Sequence, residues 1–142
     1  MTAGYSGTPL ARKLSLKDGQ RVWWDGMPDS VQAEIGTEGL VLDRLAAPEA
    51  PIDAAHIFVT DYAGMAAKLA TLRPLLAPGG FIWVSWPKKA SKVPTDITED
   101  RIRDCILPAS DLVDVKVCAV DSTWSGLKLM VRKAHSREFE KP

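Results

Sequence analysis

The chain has few of the residues that build metal centres, disulfides or nucleophilic sites. Its 142 residues include two cysteines and two histidines. Cys105 and Cys118 lack CxxC spacing, so we expect both to be small core residues in a reducing compartment. His56 lies inside an apolar run, which favours a packed imidazole over a ligand or base, and His135 is isolated. Because a structural metal centre needs clustered ligands, we expect no metal.

The chain also lacks an excess of charge of either sign and any long hydrophobic run. Eighteen Lys and Arg residues balance eighteen Asp and Glu residues. Zero net charge argues against nucleic acid as the default partner, since binding phosphates requires an excess of cations, and it leaves a local basic patch open as an alternative. No run approaches the ~20 apolar residues of a membrane helix. The N-terminal residues contain no apolar core like that of a signal peptide. We therefore expect no membrane partner and a cytoplasmic location.

The stretch from residue 53 to residue 94 organises the rest of the sequence. Ala54–Thr60 is apolar and rich in β-branched and aromatic residues, which predicts a strand buried on both faces. Asp61 follows as a helix N-cap. The next segment has helical periodicity and should end at the glycines of residues 77–80. Its apolar positions are Met65, Leu69, Leu72 and Leu76.

Phe81–Trp86 predicts a second buried strand. Strand, helix and strand make a right-handed βαβ unit, so the two strands should be parallel. Ligands of such sheets bind beyond the carboxyl ends of the strands. The sequence therefore places its candidate binding edge at residues 60–62 and 86–89.

The flanking segments predict further elements on both sides of this unit. Helices are expected from Thr8 to Ser15, from Asp29 or Ser30 to Ile35, and from Thr95 or Thr98 to Leu107. Strands are expected at Gln20–Asp25 and Gly39–Asp43, and an antiparallel hairpin at Leu112–Val120 and Leu127–Val131. Alternation in the first hairpin strand predicts one shared face for Val113, Val115, Val117 and Ala119.

The runs HIFVTDY and LLAPGGFIWVSWPK resemble the fourth strand, its helix and the fifth strand of class I S-adenosylmethionine (SAM)-dependent methyltransferases. Residues 76–80 match the L-x-P-G-G turn of that family. The resemblance implies an α/β fold with a three-layer, Rossmann-like, mostly parallel sheet that ends in an antiparallel hairpin. We expect one reduced domain over residues 1–133 and a frayed polar tail over residues 134–142.

The same resemblance draws attention to the loop that holds the cofactor in these enzymes. Their first strand runs into a loop of the form D-x-G-x-G-x-G. Here Gly26 matches, while Pro28 and Ser30 occupy the next two glycine positions. If SAM binds, the resemblance implies Asp25, Gly26 and Asp43 as its contacts. Residues 44–52 replace a further strand and its helices, so the sheet should be trimmed.

The chain as a whole looks like a group of small, uncharacterised bacterial proteins. The shared motifs are YSGTPLA near the start, WPKKASKVPTD in the middle, and VDVKVCAVD followed by TWSGLK near the end. This resemblance covers most of the chain and names no function.

The loop from Trp86 to Thr98 is the first candidate site. Lys88, Lys89 and Lys92 suit an anion beside the N-terminus of the following helix, whose N–H groups favour negative charge. Trp86 suits stacking on a flat ring, and Thr95 lies in the same loop. The alternative is a solvated loop whose lysines offset nearby acids.

Two further segments are weaker candidates. Trp124 and Ser125, in the predicted hairpin turn, suit contact with a ligand or partner. The alternative is that Trp124 folds back as a cap on the core. Tyr5 suits a polar lid over the crevice, and the alternative is an ordinary N-terminal arm.

The favoured function is a non-catalytic binding or regulatory module on a degenerate methyltransferase-like fold. Its partner would be a small anionic ligand or nucleotide at the carboxyl edge of the sheet, or another protein, with no cofactor. One alternative is an atypical SAM-dependent methyltransferase. Another is a structural subunit that pairs through an exposed apolar face involving the tryptophans. The sequence leaves the oligomeric state open.

Overall fold

The computed structural model describes residues 8–107 and 110–132. The predictions for Tyr5 and for the tail from residue 134 lie outside these residues. The strands are β1 (Arg21–Asp25), β2 (Asp43–Arg44), β3 (Ile52–Phe58), β4 (Leu76–Pro87), β5 (Leu112–Ala119) and β6 (Trp124–Val131). The helices are α1 (Leu10–Lys13), α2 (Asp29–Gly36), α3 (Tyr62–Leu72) and α4 (Glu99–Ile106), with short 3-10 turns at Arg73–Leu75 and Lys89–Ser91.

All six of these strands form one sheet with the order β2-β1-β3-β4-β6-β5. The first four strands in that order are parallel to one another. β6 is antiparallel to both β4 and β5. The predicted mostly parallel α/β sheet with a C-terminal antiparallel hairpin is confirmed.

Helices cover both faces of the sheet. α3 and α4 pack over one face, where Ile57, Ile82 and Leu127 are fully buried. α1 and α2 pack over the other, around Trp83 and Phe81. The predicted three-layer architecture is therefore confirmed. No helix in the described part of the chain is long and apolar enough to cross a bilayer.

The central βαβ unit forms as predicted, with a shift at the end of its helix. The Asp61 carboxylate accepts the Gly64 N–H at 2.7 Å and caps α3. α3 ends at Leu72 rather than at Leu76. Pro74 lies in the 3-10 turn that follows, and proline cannot donate the N–H that would continue an α-helix. β4 consequently starts at Leu76, within the segment that was predicted as the end of the helix.

The hairpin contains a bulge that alternation alone did not predict. The β5–β6 register shifts between Asp114 and Lys116. Val113 is therefore paired with Met130, and Val117 is paired with Leu127. Met130 and Leu127 point to opposite faces of β6, so the two valines do as well. The prediction that the β5 valines share a face is wrong, because the extra residue of a bulge reverses the alternation beyond it.

His56 is a packed imidazole, as predicted. It lies in β3, is 3% exposed, and its Nε2 is 2.7 Å from the Ser85 Oγ atom. Its ring stacks on Phe58 at a centroid distance of 4.4 Å. Burial lowers the pKa of His56 to about 3. The folded protein therefore holds a neutral imidazole over the range in which an exposed histidine gains a proton.

This histidine should make stability fall in acid. The pKa of His56 is about 6.5 in the unfolded chain, above its value in the folded protein. At pH values between these two pKa values, the unfolded chain therefore binds one more proton than the folded chain. The free energy of unfolding should drop by about 1.4 kcal/mol per pH unit between those two pKa values. Urea unfolding of the wild type and of His56→Gln, at about pH 7 and about pH 5, measures this contribution. Equal acid losses in the two proteins would show that His56 is not the cause.

Candidate functional site

The sheet has a topological switch point between β1 and β3. The chain leaves β1 through α2 on one face and leaves β3 through α3 on the other. The carboxyl ends of the two strands therefore diverge around a crevice, which is where open α/β sheets bind ligands. Gly26 follows β1 at this crevice, and residues 59–61 follow β3.

Gly26 fits its position because it has no side chain. Its φ of +71° is one that other residues rarely adopt. A Cβ atom at this position would lie 3.2 Å from the Phe58 carbonyl oxygen, which is at the end of β3. Gly26 thus lets the β1–α2 turn approach the adjacent strand end closely.

Asp25, the last residue of β1, forms an ion pair with Lys68 of α3. The Lys68 Nζ and Asp25 Oδ2 atoms are 2.5 Å apart, and both side chains are partly exposed. No motif in the sequence points to Lys68. Its spacing, three residues after Met65 and four before Leu72, places it at the border of the buried face of α3 and is the one feature from which its role could be inferred.

A cleft of about 190 Å³ adjoins this ion pair. Trp23 and Asp25 of β1, Leu72 of α3 and Pro48 of the β2–β3 connection contribute to its walls. The two neighbouring tryptophans of β1 point to opposite faces of the sheet. Trp23 packs with α3, whereas Trp24 packs with α2 beneath the Arg44 guanidinium.

Asp43 lies away from the switch point. It is paired in register with Arg21, the first residue of β1, and its carboxylate is 3.4 Å from the Arg21 Nη1 atom. Asp25 is four residues further along β1, about 13 Å away at ~3.3 Å per residue. The structure therefore brings Asp25 and Gly26 together and places Asp43 towards the opposite edge of the sheet.

The lysine loop, residues 88–98, begins at the carboxyl end of β4. Lys89 and Lys92 are exposed, and Lys88 is half-buried. Lys89 and Lys92 line a cleft of about 370 Å³ with Trp86, Thr98 and Glu99. Among the described residues, no ammonium group of these three lysines lies within 4.0 Å of a carboxylate.

Hydrogen bonds fasten this loop to its surroundings. The Thr95 hydroxyl donates to the Thr60 carbonyl at 2.7 Å and accepts the Ile97 N–H at 3.1 Å. The Asp96 carboxylate accepts the Tyr62 N–H at the start of α3. The Lys88 N–H donates to the Thr123 carbonyl at 2.8 Å. Thr95 therefore helps to hold the loop in place.

The remaining aromatic candidates are largely packed. Trp86 is 8% exposed within the core, although its edge reaches the cleft. The Trp124 ring meets Phe58 edge-on at 5.1 Å, as expected of a cap on the core. The Asp121 carboxylate accepts the Trp124 N–H. Ser125 is half-buried in β6, between Trp86 of β4 and Ala119 of β5.

Acidic side chains occupy the start of α4. Thr98 accepts the Arg101 N–H, while Glu99 and Asp100 pair with Arg103 in the first turn. Asp114 also binds this guanidinium, which lowers the pKa of the Asp114 carboxyl. Within residues 8–107 and 110–132, no group of His, Cys, Asp and Glu side chains could hold a metal ion.

Solved structures that match this chain include methyltransferases. A SAM-dependent methyltransferase from Aquifex aeolicus matches with a TM-score of 0.57 and 15% identity, over 86% of this chain and 87% of that one. Ribosomal protein L11 methylase from Lactobacillus delbrueckii subsp. bulgaricus matches with a TM-score of 0.53 and 10% identity, over 87% and 75%. The DhpI–SAH complex matches with a TM-score of 0.52 and 14% identity, over 88% and 83%.

The fold is methyltransferase-like. No protein-family model matches the chain, and no curated protein matches it in sequence. At these identities the structural likeness shows the fold alone.

The switch point fits SAM only in part. Gly26 gives the close backbone approach that the family resemblance implies. Pro28, however, offers no N–H to a ligand. The carboxylate of Asp25 is paired with Lys68, and Asp43 is paired with Arg21 away from the crevice. Asp25 and Gly26 therefore lie together at the crevice, with the Asp25 carboxylate already paired, and Asp43 lies apart from them.

A pair of alanine substitutions tests the close approach at Gly26. Gly39 has a similar φ of +67°, but a Cβ atom there would meet no other atom within 4 Å. Gly39→Ala should cost about 1–2 kcal/mol for the backbone conformation alone. Gly26→Ala should cost more, because Phe58 must also move. Urea unfolding of both variants measures the difference, and equal losses would contradict a tight contact between the two strand ends.

Proposed function

We propose that the protein is a non-catalytic binding module that holds a small anionic ligand or nucleotide at the carboxyl edge of its methyltransferase-like sheet. One observation carries this proposal: three lysines follow the end of a central strand and have no carboxylate partner among the described residues. In ordinary surface loops, lysines and acids commonly offset one another. Here the nearby Glu99 and Asp100 bind Arg103 instead.

The cleft beside the loop has the size and chemistry for such a ligand. Its volume of about 370 Å³ lies in the range of small-molecule sites, roughly 300–1,000 Å³. Lys89 and Lys92 supply positive charge, and the Thr98 side chain adds a polar group at the cleft wall. The Glu99 carboxylate also lies at this wall, and its charge is offset by Arg103. An ammonium binds phosphate as a point charge, without the fixed geometry of a guanidinium. The lysine side chains therefore favour a phosphate-bearing ligand over one that needs the two parallel N–H donors of an arginine.

The loop is held in place before any ligand arrives. Thr95 and Asp96 attach it to the start of α3, and Lys88 attaches it to the hairpin turn. Ordering a loop on binding costs free energy, and a loop that is already fixed avoids much of that cost. The tethering therefore supports a binding function for an exposed and highly charged segment.

An atypical SAM-dependent methyltransferase is the second candidate. The switch point and the close approach at Gly26 favour it. It requires the Asp25 carboxylate to leave Lys68, or the cofactor to bind without that acid. The third candidate is a subunit that pairs through an exposed apolar face involving the tryptophans. It has less support, because all five tryptophans are buried or half-buried.

Calorimetric titration with ATP and with pyrophosphate tests the lysine loop. The wild type should bind one of these anions. Lys89→Gln with Lys92→Gln should weaken that binding at least about tenfold, because each removed charge costs on the order of 1 kcal/mol. Both side chains are exposed, so the fold should persist. Lys17→Gln with Lys116→Gln removes the same charge elsewhere and should leave binding unchanged. An equal loss of affinity in both double variants, or no loss in either, would show that the anion does not bind at the lysine loop.

A further inference from the structure

A second group of lysines lies on the face of the sheet that carries α1. Lys116 of β5 and Lys128 of β6 stand directly opposite each other. Side chains in such a pair point to the same face, and like charges in this arrangement destabilise a sheet. Lys13, at the end of α1, and Lys17, in the turn that follows, border the pair. We call these four residues the basic face.

Only part of the donor capacity of this pair is used. The Lys128 Nζ atom donates to the Ser15 Oγ at 2.9 Å and lies 4.5 Å from the centre of the Phe81 ring. The Lys116 Nζ atom donates to the Lys13 carbonyl at 3.1 Å. Each ammonium has three donors, so each retains donors for another acceptor.

The ammonium groups of the basic face form no ion pair among the described residues, although Asp18 and Glu38 line a cleft together with Lys17. In the described ranges, no carboxylate lies within 4.0 Å of any of its four ammonium groups. Asp18 is next to Lys17 in sequence, but its carboxylate accepts the Val41 N–H at 2.7 Å. Burial lowers the pKa of Lys128, and the neighbouring charges of Lys116 and Lys17 lower it further. Lys116, Lys17 and Lys128 therefore repel one another, and none of them is ion-paired among the described residues.

Ser15 adds backbone strain beside the pair of Lys116 and Lys128. Its φ of 65° lies in the left-handed region, which residues other than glycine, asparagine and aspartate seldom adopt. The hydroxyl held in this way is the one that receives the Lys128 ammonium. Local strain and like-charge crowding thus coincide in one patch, a combination that is typical of functional surfaces.

We infer that the basic face binds the phosphate backbone of a nucleic acid. Its cations are spread over two strands and the end of a helix, an arrangement that suits a row of phosphates better than one small anion. Phe81 lies beneath Lys128 and is 5% exposed, so it offers no platform for stacked bases. Binding should therefore depend on phosphates and not on base sequence.

The balanced charge of the whole chain does not oppose this inference. Nucleic acid responds to the local field of a surface, and the acids of α4 lie on the other face of the sheet. The inference is independent of the lysine loop and of its small ligand. A competing explanation is that these lysines only stabilise α1 by binding its last carbonyl groups. That explanation predicts a change in stability and no binding of nucleic acid.

Fluorescence anisotropy with labelled RNA and DNA duplexes of about 20 base pairs distinguishes these explanations. The wild type should bind with a dissociation constant of roughly 10⁻⁴ to 10⁻⁶ M, weakening steeply as salt rises. Lys17→Gln with Lys116→Gln should reduce the slope of log K against log salt by roughly 1.8, at ~0.9 per phosphate contact. Lys89→Gln with Lys92→Gln should leave both affinity and slope unchanged. Lys17→Arg with Lys116→Arg should preserve binding.

Three outcomes would overturn the inference. The first is no binding of either duplex at about 100 µM protein and low salt, where non-specific binding is strongest. The second is an equal loss in the two glutamine double variants. The third is binding of tripolyphosphate without binding of either duplex. Because the two double variants have opposite expected effects on duplexes and on ATP, failure here is distinguishable from failure of the lysine-loop site.

Discussion

Strand β3 pairs in parallel with both β1 and β4. The positions of the helices and of the loops at the carboxyl edge of the sheet depend on this buried pairing. The strand is covered on both faces, with Ala55 and Ile57 fully buried. Parallel pairing brings the carboxyl ends of the three strands to one edge of the sheet. The helix after β1 and the helix after β3 must then lie on opposite faces, which creates the switch point. The loops that follow the three strands, including the lysine loop, meet at that edge as a consequence.

The residues at this edge bind one another. Asp25 pairs with Lys68, Asp61 caps α3, and Asp96 binds the first N–H of the same helix. These contacts stabilise the strand ends and the start of α3. Of these residues, Asp25 is also one that the family resemblance implies as a cofactor contact. The architecture of a methyltransferase can therefore persist on its packing alone, because the interactions that define the sheet do not involve the cofactor contacts.

Periodicity and end signals in the sequence predicted the central unit because both are local. Asp61 lies directly before a helical stripe, and its role as an N-cap followed from that position. Pro74 was the local signal that was overlooked, since it sets the end of α3. The bulge after Asp114 and the ion pair between Arg21 and Asp43 could not be predicted, because both depend on the register between strands that are distant in sequence. The same holds for the contact of Lys68 with Asp25, which requires α3 to lie over β1.

The central proposal is that the Asp25–Lys68 ion pair takes the place of a SAM contact in this methyltransferase-like fold. Calorimetric titration of the purified protein with SAM and, separately, with S-adenosylhomocysteine tests it most directly. If the Asp25–Lys68 pair takes the place of a SAM contact, neither compound should give saturable heat or a rise in melting temperature. Saturable binding at roughly micromolar affinity, about −8 kcal/mol, would contradict it and would favour a working methyltransferase despite Pro28 and the displaced Asp43.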